Sequence, residues 1–125
     1  MNLVLDAGAL IAIDRDDRRT AGLIELGRRA GAGLVSVAPV LGQAWRDGAR
    51  QARLARLLPM IEVRPTGLAE ARAAGELLAR TRTSDVVDAL LALAAVPGDQ
   101  VLTSDPGDLR QLADGREIPL TIVTI

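Results

Sequence analysis

Five aspartates carry most of the chemistry open to this sequence. In "SDVVDALLALAAV" (84–96), Asp88 stands among Val86, Val87, Leu90 and Leu91, with Asp85 three residues before it. An ionised carboxylate in such apolar surroundings costs several kcal/mol unless something pairs with it. Asp6 directly follows the apolar run "NLVL", and Asp105 follows "VLTS" with Asp108 three residues on. If these segments meet, their carboxylates repel one another unless they share a hard cation such as Mg²⁺ or Mn²⁺, which takes oxygen ligands.

Each acid also has a structural explanation. Asp6 suits an acceptor of backbone hydrogen bonds in a tight turn equally well. Asp105 before Pro106 has the pattern of a helix N-cap with proline at the first helical position. Asp108 would then be a first-turn acid complementing the helix dipole, and Asp85 after Ser84 fits the same description. For Asp85 and Asp108 that reading is the simpler one. Asp88 is expected a full turn inside its helix, beyond the reach of capping, and a site explains it best.

The rest of the composition narrows the chemistry further. The chain has no cysteine and no histidine, which excludes thiolate metal sites, cysteine nucleophiles and every Ser-His-Asp arrangement. All 15 positive charges are arginines. Without lysine there is no Schiff-base chemistry and no Walker-type phosphate loop. An enzyme built from Asp, Glu, Arg, Ser and Thr is most naturally a carboxylate-plus-metal enzyme. The net charge of −1 supplies no global basic field for nucleic acid. No signal-peptide pattern and no apolar run of membrane-spanning length is present, so a cytoplasmic location without membrane contact is expected.

The elements that must position these acids alternate along the chain. Strands are expected at "NLVLD" (2–6), "GLVSV" (33–37), "MIEV" (60–63), "VLT" (101–103) and "LTIVTI" (120–125). Helical patterns lie between them. One opens at "ALIAI", an amphipathic one covers 21–30, and one runs from Pro39 to about Leu58. A fourth covers 67–80 behind a Thr66 cap, a fifth opens behind Ser84, and a short last one lies at "DLRQLA". This alternation predicts one α/β domain over 1–125 with a mainly parallel five-stranded sheet flanked by helices. Sites in such sheets form beyond the carboxyl ends of the strands, where Asp6 and Asp105 fall.

"LVLDAGALIAI", "DVVDALLALAA" and "VLTSDPGDLRQLA" together resemble the motifs of PIN-domain nucleases, and more closely those of the VapC toxins of bacterial toxin–antitoxin pairs. The resemblance spans nearly the whole chain in order and spacing. It implies a PIN-like, Rossmann-like sheet and an endoribonuclease dependent on Mg²⁺ or Mn²⁺. It also implies a homodimer and inhibition by a cognate VapB-type antitoxin. Asp6, Asp88 and Asp105 match the family's metal-binding acids, with Asp85 and Asp108 as auxiliary candidates. One position departs. Where the family places a glutamate after the second strand, "PVLGQAWRDG" has Gln43, which keeps an acceptor oxygen but loses the charge. A degenerate, non-catalytic domain that binds antitoxin or RNA without cutting is the alternative this departure supports.

An RNA substrate has to be held despite the acidic centre. Arg46, Arg50 and Arg53 form one stripe if the helix runs through Gly48, although a solvated face explains them equally. Thr103 and Ser104 are candidates for phosphate contact or carboxylate orientation, or are ordinary strand-end hydroxyls. Trp45, the only aromatic residue, is a better packing anchor than a stacking platform. Other classes lack their residues: a receiver domain needs a lysine, a haloacid-dehalogenase-type phosphatase needs an acid where Gly8 stands, and "DAGALIA" is no dinucleotide-binding turn.

Overall fold

The computed structural model describes residues 1–125. Five strands, β1 (Asn2–Leu5), β2 (Gly33–Val37), β3 (Ile61–Arg64), β4 (Gln100–Thr103) and β5 (Thr121–Thr124), form one sheet in the order β3-β2-β1-β4-β5. Every neighbouring pair is parallel. Seven α-helices flank the sheet: α1 (Ala7–Asp14), α2 (Arg18–Arg29), α3 (Ala38–Ala44), α4 (Ala52–Leu57), α5 (Leu68–Thr81), α6 (Val86–Ala94) and α7 (Pro106–Arg116). None is long and apolar enough to cross a membrane.

The three central strands are nearly continuous runs of buried residues. Leu3, Val4 and Leu5 are all buried, as are Leu34 to Val37 and Val101 to Thr103. Successive side chains point to opposite faces, so burial at every position means that both faces are covered, as parallel sheets require. Helix α1 packs against α2, α3 and α4, whereas α5, α6 and α7 pack against one another. Contact with the sheet is close enough to exclude a β-carbon at Gly27, which would sit 2.5 Å from Leu3 Cδ1.

Two departures from the sequence expectation concern helix boundaries. The single helix from Pro39 to about Leu58 is two, because Trp45 leaves helical geometry with ψ at 135° and the chain becomes helical again only at Ala52. The side chain of Gln51 holds this break. Its Oε1 accepts from the amides of Arg46 and Asp47, and its Nε2 donates to the carbonyl of Ala44. Trp45 packs against the core. The other departure is in the caps. Gly67, braced by the Glu70 carboxylate on its amide, precedes α5 in place of Thr66, and Asp85 rather than Ser84 caps α6.

Away from the acids already singled out, buried Asp99 anchors the opposite end of the sheet. One of its oxygens accepts the Asn2 amide at 2.8 Å and the other the Val96 amide at 2.9 Å. Its own carbonyl accepts from Thr121. A single residue thereby ties the starts of β1, β4 and β5.

Candidate active site

The strand order reverses between β1 and β4. From β1 the chain proceeds outward through β2 and β3, then returns to β1's other edge for β4 and β5. The carboxyl ends of the strands at such a reversal are the usual place for a ligand in open α/β sheets. Leu5 pairs with Leu102, and the Asp6 amide donates to the Leu102 carbonyl at 3.2 Å. Asp6 and Asp105 thus leave neighbouring strands at the same edge.

Asp6 is buried, and its Oδ1 accepts the Ala9 amide at 2.8 Å, which starts α1. The turn explanation and the site explanation therefore both apply to it. Nearby, the buried Ser36 hydroxyl donates to the Leu5 carbonyl at 2.8 Å and fixes the backbone that carries Asp6. That contact had no signal in the sequence, because it joins residues 31 positions apart.

Asp105 precedes α7 as the proline pattern predicts, but its carboxylate makes no capping hydrogen bond. Its backbone amide donates to Thr103 Oγ1 at 2.9 Å instead. Thr103 is fully buried, so it orients Asp105 and offers no surface to RNA, while Ser104 is exposed beside it. Asp108 lies exposed in the first turn of α7.

Asp85 caps α6, with Oδ1 accepting the amides of Val87 and Asp88 at 2.9 and 3.0 Å. The helix begins one residue later than a Ser84 cap would set it, so Asp88 lies in the first turn rather than a full turn inside. The dipole at this end favours a negative charge, yet the surroundings outweigh it. Burial is the main cause that raises the Asp88 carboxyl to about 6, and the charges of Asp85, Asp108, Asp6 and Asp105 push the same way. Four carboxylates from three segments are therefore near enough to act on Asp88.

None of the five forms a salt bridge; the four ion pairs of the chain all lie elsewhere. No three of them converge closely enough to grip one ion as the side chains stand, and their mutual repulsion opposes such convergence when no cation is bound. The donor set itself, carboxylate oxygens without any cationic partner, matches what Mg²⁺ or Mn²⁺ takes. Gln43 is exposed on α3 and its amide forms no hydrogen bond within the protein.

The arginine stripe is not formed. Arg46 folds back onto the carbonyls of Gly42 and Trp45, Arg50 stands 3.7 Å from Asp47, and Arg53 stands 3.8 Å from Asp16. The helix break between Trp45 and Ala52 separates Arg46 and Arg50 from the face that carries Arg53.

No protein-family model matches the chain and no curated protein matches it significantly, so the site rests on its own geometry.

Proposed function

We propose that the chain is a metal-dependent endoribonuclease of the PIN type and the toxin of a type II toxin–antitoxin pair resembling VapC. One observation carries the enzymatic part: Asp88 is held partly desolvated among four other carboxylates, with no cationic side chain in the group. A protein without histidine, cysteine or lysine has few other routes to phosphodiester hydrolysis. On this reading Asp6, Asp88 and Asp105 hold Mg²⁺ or Mn²⁺, with Asp85 and Asp108 adding negative charge around them. The bound cation would activate water and offset charge developing on the phosphate. Thr103 and Ser36 keep Asp105 and Asp6 in place through the backbone. The toxin role, the VapB-type antitoxin and the homodimer rest on the motif resemblance alone.

Gln43 favours a second reading, a PIN-type domain that binds RNA or antitoxin without cutting. Titration of Mn²⁺ or Mg²⁺ into the purified protein, with RNA cleavage as readout, separates the two. Cutting by the parent and none by Asp88→Asn is the expected result. Metal binding without cutting would favour the second reading, and Gln43→Glu should then restore cleavage. Absence of metal binding would leave the acids as structural residues only.

A further inference from the structure

Beside the acid cluster, a cleft of about 380 Å³ runs along α1, lined among others by Gly8, Ala12, Arg15, Asp17, Thr20 and Ser104. Resting on the nuclease reading, we propose that this cleft carries the RNA strand next to the cut, with Arg15 binding the phosphate that flanks the scissile one.

The cleft adjoins the site through Gly8 and Ser104, which line it and neighbour Asp6 and Asp105. A β-carbon at Gly8 would lie 2.0 Å from Ser104 Oγ and 3.3 Å from Asp6 Oδ1, so glycine here lets Ser104 and Asp6 lie close against α1. Gly8, Ala12 and Arg15 recur at helical spacing and share one face of α1. The two small residues keep the floor low, and Arg15 stands about 10 Å along the helix axis from Gly8. A guanidinium there presents a planar fork of donors suited to a phosphodiester.

Arg15 is also free to serve. It is exposed, and its side chain forms neither a hydrogen bond nor an ion pair. Some other arginines are taken up by backbone carbonyls: Arg116 donates to those of Ala92 and Ala95, Arg64 to Ala94, and Arg46 to Gly42. The carboxylate that lines the cleft, Asp17, directs Oδ2 to the amide and hydroxyl of Thr20 at 2.9 and 2.8 Å and does not pair with Arg15. A favourable interaction with the α1 dipole would account for an arginine at this position, but it would give no RNA-linked salt effect.

The test uses a labelled single-stranded RNA oligonucleotide and Asp88→Asn protein, with and without Arg15→Gln, over a range of NaCl concentrations. Arg15→Gln should weaken binding roughly tenfold, the scale of one charge-assisted contact. It should also flatten the dependence of log affinity on log salt by about 0.7, the effect of one lost phosphate contact. Arg15→Lys should keep the slope. With Asp88 intact, Arg15→Gln should raise KM and leave kcat near the parent value. Unchanged affinity and slope in a protein that still cuts RNA would overturn the role of the cleft and leave the nuclease reading standing. A parent that cuts no RNA with either metal would overturn the nuclease reading, and this inference with it.

Discussion

Asp88 shows how a single side chain can be at odds with its fold. Its folded-state pKa of about 6 lies above the ordinary 3.8, so protonation favours the native state. The associated stability is complete below pH 3.8 and is lost as pH rises through 6. At pH 7.5 the ionised carboxylate therefore costs the fold about 1 kcal/mol, after allowance for solvent screening of a partly exposed group. Asp88→Asn should recover that amount in urea denaturation at pH 7.5 and be close to neutral at pH 3.5. Equal effects at the two pH values would show that Asp88 is not held against its charge. The sequence exposed this residue because an aspartate inside "VVDALLALAA" conflicts with its neighbours. It did not expose Ser36, whose hydroxyl meets Leu5 only after two distant strands pair.

Helix α6, which presents Asp88, is secured at its far end by long-range contacts. Arg64 and Arg116 satisfy the carbonyls of Ala94 and Ala95, past the reach of the helix's own amides, and Arg116 adds a second donor to the Ala92 carbonyl, which also accepts the Ala95 amide at 3.3 Å. Burial lowers the pKa of Arg116, yet the guanidinium remains the donor for two carbonyls. Arg116→Met keeps the apolar stem and removes those donors. It should cost about 2 kcal/mol in urea denaturation, and an unchanged midpoint would mean that water replaces the guanidinium at no cost. All five strands were legible from short apolar runs, α2 from its amphipathic pattern, and α1, α5, α6 and α7 from composition and cap residues, to within a few residues. The break at Trp45 was not, since residues 46–51 carry no proline and the decisive bonds come from the Gln51 side chain.

Across the whole molecule, the candidate site exists only when β1 and β4 lie side by side, so a cation that bridges their acids should stabilise the folded state by mass action. At a hundred times its Kd, Mg²⁺ or Mn²⁺ should add about 2.7 kcal/mol, seen as a rise in Tm of several degrees for a domain of this size. The rise should be present at pH 7.5, shrink as pH falls through 6 while Asp88 takes up a proton, and be absent in Asp88→Asn. An equal rise in that variant would place the binding elsewhere. Asp99 forms the counterpart at the opposite end of the sheet, where a buried carboxylate is satisfied by backbone amides and needs no cation.

The sequence alone determined the α/β class, the order of strands and helices, and the pool of oxygen donors from which any chemistry must be drawn. These are local properties, set by apolar periodicity and by which side chains are absent. Only the tertiary structure decided that β4 returns to the free edge of β1, that Asp88 senses four other carboxylates, and that Thr103 faces inward. It also dissolved the arginine stripe and left Arg15 as an unpaired cation in the cleft beside the site. Each of these depends on contacts between residues far apart in the chain, where register and side-chain hydrogen bonds, rather than local pattern, fix the outcome.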